Sequence, residues 1–214
     1  MNQVYFISGI DTNIGKTYAV GHLAAKFAQE GKKVITQKPI QTGCDDMAED
    51  IVHHRKMMKI DLLPEDKTRL TMPEVFTYPA SPHLAAKIDN RTIDFEKIDK
   101  ATATLRDKYD VVLIEGAGGL MVPLTEDYLL IDYVLERNFP IILVTSGRLG
   151  SINHTLLSFE AIERRGLTLH SVIYNLYDEN SDPIISNDTF AYLKKVMEKR
   201  FPEAELMVLE AWGE

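Results

Sequence analysis

Residues 9–17, GIDTNIGKT, carry the residue types of a phosphate-binding loop. The usual pattern is G-x-x-x-x-G-K-[ST], but here five residues separate Gly9 from Gly15. An apolar run typical of a strand precedes the loop, and a segment with helical spacing follows it. At such a junction the backbone amides favour phosphate, Lys16 can reach the terminal phosphates, and the Thr17 hydroxyl suits Mg²⁺. We therefore predict a lengthened phosphate loop rather than a turn with an incidental lysine.

Two further stretches place charged residues at predicted strand ends. In QKPIQTG, Lys38 precedes Pro39, which cannot continue a central strand, and Thr42 is expected to begin a polar loop. A lysine there is usually a solvated charge, but beside a phosphate loop it can share the charge that develops on a transferred phosphoryl group. In IEGAGGLMVPL, Glu115 stands where phosphate-loop enzymes hold Mg²⁺ or its water. The three stretches together predict one site.

A fourth stretch, SGRLGSINHTLLS, has two glycines ahead of an amphipathic segment. We expect a helix here with Ser151 or Asn153 as its N-cap. Free amides at such a helix start can bind a carboxylate, but this stretch by itself favours plain capping.

Short continuous apolar runs alternate with segments of helical spacing. Runs that are apolar on both faces suit a parallel sheet covered by helices, so the sequence predicts an α/β doubly wound, mostly parallel sheet with helices on both faces. Residues 61–90 carry four prolines and are expected to hold only short elements. The predicted strands lie at residues 4–8, 33–37, 110–115, 140–146, 170–175 and 206–209.

Composition restricts the classes of function. With 45% hydrophobic residues, the 214-residue chain is expected to form a single domain over residues 1–214. Its formal net charge of −8 argues against nucleic-acid and membrane partners. The single cysteine, Cys44, cannot form an internal disulfide or a thiolate metal site. Because residues 1–9 lack the pattern of a signal peptide and no apolar run approaches about 20 residues, we expect neither a signal peptide nor a membrane span and predict a cytoplasmic protein.

The combination of motifs resembles one family, the dethiobiotin synthetases. The resemblance rests on GIDTNIGKT, QKPIQTG, SPH at residues 81–83, EGAGGLMVPL, LGSINH and Asn175, and it covers about residues 4–178. The family's phosphate loop also has five residues between its glycines. The resemblance implies a P-loop NTPase-like fold and a cyclo-ligase that uses ATP and Mg²⁺ to close diaminopelargonic acid with CO₂ to dethiobiotin. It implies a carbamate, a carbamic-phosphoric anhydride, release of ADP and phosphate, and a homodimer that shares its substrate site between subunits.

The resemblance also implies roles for individual residues. Thr12, Lys16 and Lys38 would be catalytic, stabilising the phosphoryl group and the carbamate. Thr17, Asp50 and Glu115 would hold Mg²⁺. Substrate contacts would come from Thr12, Lys38 and Thr42, and from Leu149, Gly150, Ser151 and Asn153 of the other subunit. Nucleotide contacts would be Asn13, Ile14, Gly15, Lys16, Thr17, Glu115, Gly116, Ala117, Gly118 and Asn175, with Asn175 reading the base.

The chain departs from the family pattern in two places. Asp50 lies in AEDIVHH, where the family has Asp followed by Ala, and Asp45, Asp46 and Glu49 are alternative acids nearby. The chain ends in MVLEAWGE instead of the family's base-wrapping G-x-x-P segment, which leaves the preferred nucleotide base open.

Two other classes share the general fold. Partitioning-type switch ATPases bind protein partners, but their loop carries a lysine at the position of Asp11. Amidotransferase ligases of cobalamin synthesis need a glutaminase cysteine, and Cys44 does not lie in a nucleophile elbow. The sequence therefore favours the synthetase over both classes.

Overall fold

The computed structural model describes residues 2–176 and 182–209. All six predicted strands form. The strands are β1 Gln3–Gly9, β2 Val34–Gln37, β3 Ile40–Thr42, β4 Glu74–Phe76, β5 Val111–Gly119, β6 Ile141–Ser146, β7 Leu169–Asn175 and β8 Glu205–Leu209. The helices are α1 Lys16–Gln29, α2 Glu49–Met57, α3 Pro64–Lys67, α4 Pro82–Ile88, α5 Phe95–Lys108, α6 Leu130–Glu136, α7 Ser151–Arg164 and α8 Pro183–Arg200.

The main sheet has six parallel strands in the order β2-β5-β1-β6-β7-β8. The connection from β1 to β2 runs towards one edge of the sheet, and the connections from β5 through β6 and β7 to β8 run towards the other. Because such crossovers are right-handed, this reversal places helices on both faces of the sheet. The predicted doubly wound α/β fold is therefore confirmed, while a single domain over residues 1–214 stays a prediction.

Apolar strand residues form the core between the helical layers. Phe6, Ile114 and Val144 of three neighbouring strands are fully buried, and burying each such side chain contributes about 1.5–3 kcal/mol. The strands β1, β5 and β6 are buried along most of their length, which is why their sequences do not alternate. This burial fixes the strand register, so the carboxyl ends of β1, β2 and β5 lie side by side.

Strand β5 continues to Gly119, beyond the predicted end at Glu115. Gly119 pairs with Gly9, and a Cβ added at Gly119 would lie 3.1 Å from the Gly9 carbonyl oxygen. Glycine at this position therefore allows the turn after β5 to lie against the start of the phosphate loop.

Residues 61–90 contain only short elements, as predicted. The expectation that Thr42 begins a loop is wrong, because residues 40–42 form β3. They pair in parallel with β4, and Thr42 lies opposite Phe76. A partner strand that is distant in sequence supplied the hydrogen bonds, so the local polar composition did not decide the conformation.

In the part of the chain that the structure describes, no helix is both long and apolar enough to cross a membrane.

A buried ion pair fastens α2 to the segment after it. The Arg55 guanidinium, 2% exposed, donates two hydrogen bonds of 2.8 Å to the carboxylate of fully buried Asp66. The same carboxylate accepts from Thr71 Oγ1 at 2.8 Å and from the Leu63 amide at 2.7 Å. Burial opposes ionisation of Asp66, but the bonds from Arg55 outweigh it and hold the pKa of this carboxyl below its ordinary value.

We expect Asp66→Asn to lower the free energy of unfolding by about 3 kcal/mol at neutral pH, because it leaves a buried guanidinium without its counter-charge. A depressed carboxyl pKa stabilises the fold above the unfolded value of about 3.9, and this contribution is lost as the pH falls below it. The difference between parent and variant should therefore shrink in acid. Urea denaturation at several pH values measures this effect, with Asp61→Asn, at an exposed acid, as the control. A constant difference across that pH range would contradict the assignment.

Candidate active site

A cleft of about 780 Å³ opens at the carboxyl ends of β1, β2 and β5. Open α/β sheets bind ligands at this edge. Many of the predicted site residues line the cleft together. They are Thr12, Asn13, Gly15, Lys16, Thr17, Lys38, Thr42, Asp50, Glu115, Ala117 and Gly118. The cleft is also lined by Tyr18, Gln41 and the residues around Ser81, which the sequence did not single out as site residues.

The predicted phosphate loop joins β1 to α1, and α1 begins at Lys16. Asn13 and Gly15 have left-handed backbones, with φ of 57° and 93°. Asn175, at the end of β7, donates from Nδ2 to the Ile14 carbonyl oxygen at 3.0 Å. A Cβ added at Gly15 would lie 2.3 Å from that Nδ2 atom. Asn175 therefore supports the loop, and its role in reading the base stays a prediction.

Lys16 lies at the buried floor of the cleft and donates to the Asp11 carbonyl oxygen at 3.1 Å. Burial and the neighbouring charge of Lys38 lower the pKa of Lys16 to about 8, against the opposing effect of Glu115 and Asp50. The charged form of Lys16 is therefore disfavoured in this cleft, and a bound anion would stabilise it. This behaviour is expected of a phosphate-binding lysine.

Lys38 joins two carboxylates from different elements. Its Nζ lies 2.7 Å from Asp50 Oδ2 on α2 and 2.9 Å from Glu115 Oε1 on β5. Burial disfavours the charge on Lys38, but the two carboxylates outweigh it and raise the pKa of the lysine. Burial opposes ionisation of Glu115 as well, but Lys38 and His54 outweigh it and hold the pKa of this carboxyl far below its ordinary value. Lys38 and Glu115 are therefore both charged at neutral pH.

The same carboxylates meet the Thr17 hydroxyl. Thr17 Oγ1 lies 3.0 Å from Asp50 Oδ1 and 3.1 Å from Glu115 Oε1. One hydroxyl and two carboxylates are the hard oxygen ligands that Mg²⁺ prefers, and Mg²⁺ usually keeps several waters besides. Among residues 2–176 and 182–209, no three His, Cys, Asp or Glu residues gather to hold a metal by themselves. The donor set thus fits a hydrated Mg²⁺ and not a closed structural site.

Asp50 is the acid of its segment that reaches this site. Asp45, Asp46 and Glu49 are exposed, and Asp46 pairs with Arg69 at 2.8 Å. Asp50 faces Thr17 because α2 packs beside α1. The structure therefore favours Asp50 among the four acids, and its role as a metal ligand stays a prediction.

Sequence reasoning missed the buried polar groups behind Glu115. His54 Nε2 lies 2.9 Å from Glu115 Oε2, and His54 Nδ1 lies 3.0 Å from Thr36 Oγ1. The sequence carried one indication, since Asp50 and His54 stand four residues apart in a helical segment and so share one of its faces.

Asp11 connects the phosphate loop to the loop before α7. Its carboxylate accepts a hydrogen bond from the Arg148 guanidinium. The Thr12 amide and Arg148 lower the pKa of Asp11, although partial burial opposes them. The loop after β6 is thereby attached to the predicted phosphate site.

The start of α7 lies apart from the cleft. Leu149 is 83% exposed, Gly150 and Asn153 are exposed, and Ser151 is buried. The expectation that Ser151 or Asn153 caps this helix is wrong. Gly150 is the N-cap, with a left-handed φ of 95°, and the Ser151 hydroxyl bonds to Ser146 Oγ at 3.1 Å. Glycine adopts this backbone without a Cβ penalty. The helix therefore begins at Ser151, one residue earlier than it would with Ser151 as its N-cap.

Comparison with known proteins assigns the family. A family model described as AAA domain matches residues 3–200. The chain is 52% identical over 210 residues to ATP-dependent dethiobiotin synthetase BioD 2 of Pasteurella multocida, with 98% of each chain covered. The chain belongs to the dethiobiotin synthetase family. A second member, BioD 2 of Haemophilus influenzae, is 57% identical over 179 residues, covering 84% of this chain and 94% of its own.

The predicted family is thus confirmed, and with it the expectation that this chain is a ligase. Solved structures of low identity support the P-loop NTPase-like fold. A putative plasmid partition protein from Borrelia burgdorferi, bound to AMPPNP, superposes with a TM-score of 0.57 at 12% identity, covering 98% of this chain and 87% of its own. A cobyrinic acid a,c-diamide synthase from Mycobacterium smegmatis, with bound ADP and magnesium, gives 0.54 at 15%, covering 91% and 82%. At these identities the likeness concerns the fold alone.

Parts of two sequence features lie outside the described residues. They are residues 177 and 178, at the end of the range that the resemblance covers, and residues 210–214 of the C-terminal departure. The preferred nucleotide base therefore stays open.

Proposed function

We propose that this chain catalyses the ATP- and Mg²⁺-dependent ring closure of diaminopelargonic acid with CO₂ to dethiobiotin. The observation that carries the proposal is the position of Lys38. Its ammonium stands between Asp50 and Glu115, in the cleft that Lys16 also lines. Two cations in one cleft can neutralise a phosphoryl group and a carbamate at the same time.

The proposed reaction has three steps. An amine of the substrate attacks CO₂ and loses a proton, giving a carbamate. A carbamate oxygen then bonds to the γ-phosphorus of ATP while the bond to the β-phosphate oxygen breaks, and ADP leaves. The second amine attacks the carbamoyl carbon and loses a proton, the bond to the phosphate oxygen breaks, and phosphate departs as the ring closes. The protein mainly needs to position these groups and to neutralise their charge.

The residues divide this work by position. Lys16 and the amides of residues 13–17 would hold the β- and γ-phosphates at the start of α1. Lys38 and Thr12 would contact the carbamate and the transferred phosphoryl group, and Thr42 would contact the substrate nitrogens. Gly116, Ala117, Gly118 and Asn175 are proposed as further nucleotide contacts.

Thr17, Asp50 and Glu115 are proposed to hold Mg²⁺. The bound ion would neutralise charge on the β- and γ-phosphate oxygens. Lys38 now neutralises both carboxylates. With Mg²⁺ bound beside Thr17, Lys38 would no longer be the sole counter-charge of these two carboxylates and could contact the carbamate.

We expect nucleotide affinity to fall once the pH rises above the Lys16 pKa of about 8. Bound phosphate favours the charged lysine, so binding above this pH requires uptake of a proton, and affinity should fall by up to about tenfold per pH unit. Below this pH the lysine is already charged, and the affinity should change little. Calorimetry with a non-hydrolysable ATP analogue, in two buffers of different ionisation enthalpy, measures both affinity and proton uptake. Lys16→Arg should flatten the profile, whereas a flat profile in the parent would contradict the assignment.

We also propose a homodimer in which the start of α7 completes the substrate site of the partner. Its support is the exposed apolar Leu149 just before the start of α7, and among the described residues that line the cleft none comes from this segment. Complementation tests the arrangement. Lys38→Met and Asn153→Asp should each abolish most activity, but after subunit exchange half of the dimers carry one intact site, giving about a quarter of parental activity. Activity no higher than that of the separate variants would argue against a shared site.

The reaction is tested directly by incubating the purified chain with diaminopelargonate, bicarbonate, Mg²⁺ and each nucleoside triphosphate in turn. Mass spectrometry should detect dethiobiotin with an equal amount of nucleoside diphosphate, and the most effective triphosphate identifies the preferred base. Nucleotide hydrolysis without dethiobiotin would reject the proposed substrate and favour a partner-binding switch ATPase. The cytoplasmic location and the absence of nucleic-acid partners stay predictions.

A further inference from the structure

A fully buried histidine, His54, lies behind the cleft and has no role in the chemistry above. Both ring nitrogens have hydrogen-bond partners. Nδ1 lies 3.0 Å from Thr36 Oγ1, and Nε2 lies 2.9 Å from Glu115 Oε2. The ring therefore connects an edge strand of the sheet to the carboxylate proposed to hold Mg²⁺.

The direction of these hydrogen bonds follows from the groups at their ends. Arg55 NH1 donates to Thr36 Oγ1 at 2.9 Å, and a guanidinium can only donate. The Thr36 oxygen thus accepts from Arg55, and its one hydrogen is free to point to His54 Nδ1. Glu115 is ionised and can only accept, so His54 Nε2 must carry the ring hydrogen. Asp66 anchors the far end by holding the Arg55 guanidinium with two bonds.

The two oxygens of Glu115 therefore have separate partners. Oε2 faces His54, whereas Oε1 faces Lys38 Nζ at 2.9 Å and Thr17 Oγ1 at 3.1 Å. Rotation of the carboxylate would break the bond to His54. We propose that His54 is a positioning residue: it holds Glu115 Oε2 and so presents Oε1 to Lys38 and to the Mg²⁺ site. The inference rests on the proposed function for the presence of Mg²⁺.

The neighbouring residue on α2 offers a matched control. His53 is exposed, and its Nδ1 lies 2.8 Å from the Glu49 carbonyl oxygen on the same helix. Replacement of His53 removes a histidine from the same helix, as replacement of His54 does, but it leaves the contacts of Glu115 unchanged.

The test uses the full chain and measures the Mg²⁺ concentration needed for half-maximal binding of a fluorescent ATP analogue, without substrate. His54→Leu should raise this concentration about tenfold, because residues that orient metal ligands typically contribute 10–100-fold to metal affinity. His54→Gln keeps an N–H donor and should recover a large part of the loss. His53→Gln should change the value less than twofold.

A second readout is the nitrogen-15 spectrum of the histidine rings in the parent and in Thr36→Val. One ring of the parent should carry its hydrogen on Nε2 and accept at Nδ1, and its signals should vanish in His54→Gln. Thr36→Val removes the hydrogen that points to Nδ1, so the Nδ1 signal should shift while His53 is unchanged. A ring with hydrogens on both nitrogens in the parent would overturn the inferred arrangement.

The outcomes separate this inference from the proposed reaction. If His54→Leu lowers the melting temperature but keeps the Mg²⁺ requirement within twofold of the parent, the ring only fills space and the inference fails, even where dethiobiotin is made. If the parent makes no dethiobiotin but His54→Leu still raises the Mg²⁺ requirement for nucleotide binding, the positioning role holds and the proposed reaction fails.

Discussion

Replacing Lys38 by methionine should lower kcat by a factor on the order of 10³, with a much smaller effect on nucleotide affinity. The ammonium is proposed to meet charge that develops during phosphoryl transfer, and loss of one such donor typically costs 10²–10³-fold in kcat. Methionine keeps the unbranched apolar stem of this buried side chain. Steady-state kinetics with diaminopelargonate, and separate titrations of ATP binding, measure the two effects.

The variant should also be less stable, by about 3 kcal/mol in the absence of Mg²⁺, because Asp50 and Glu115 lose the cation between them. Added Mg²⁺ should restore part of that loss. Lys33→Ala, at an exposed lysine just before the same strand, is the control and should leave both kcat and stability near the parental values. A near-normal kcat in Lys38→Met would remove Lys38 from the catalytic residues.

Glu115→Gln is expected to have the largest combined effect on stability and on the Mg²⁺ requirement. The carboxylate is 1% exposed and meets Lys38 Nζ at 2.9 Å, His54 Nε2 at 2.9 Å and Thr17 Oγ1 at 3.1 Å. An amide of the same shape has only one accepting oxygen, so its NH₂ must face one of these donors. The buried Lys38 also loses one of its two counter-charges. We expect a loss of about 3–5 kcal/mol in the free energy of unfolding.

The Mg²⁺ concentration for half-maximal activity should rise at least about tenfold in this variant. The loss of stability in Glu115→Gln is expected at neutral pH and should become smaller in acid. A lowered carboxyl pKa stabilises the fold above its ordinary value of about 4.3, and this contribution disappears as the pH falls below it. Urea denaturation and Mg²⁺ titration give the two measurements, with Glu126→Gln, at an exposed acid, as the control. An unchanged Mg²⁺ requirement would exclude Glu115 as a ligand.

The sequence by itself determined the fold class, the strands of the main sheet and the family. Continuous apolar runs predicted each strand of the main sheet, because burial on both faces leaves no place for alternating polar residues. The lengthened loop from Gly9 to Thr17 and the place of Lys38 just after a strand were likewise readable. Glu115 was predicted in the right strand, although β5 continues beyond it to Gly119. Each of these features depends on residues that are neighbours in the chain, and such local patterns can be recognised in a sequence without knowledge of the fold.

Tertiary structure alone decided which groups meet. Lys38 and Glu115 are separated by 77 positions in the chain, and His54 and Glu115 by 61, yet each pair is in hydrogen-bond contact. Strand register and the packing of α2 on α1 create these contacts, and neither is encoded in a short stretch of sequence. The same reason explains the misjudged positions. Thr42 joined a strand because β4 lay beside it, and Gly150 capped α7 because Ser151 had a buried partner in Ser146.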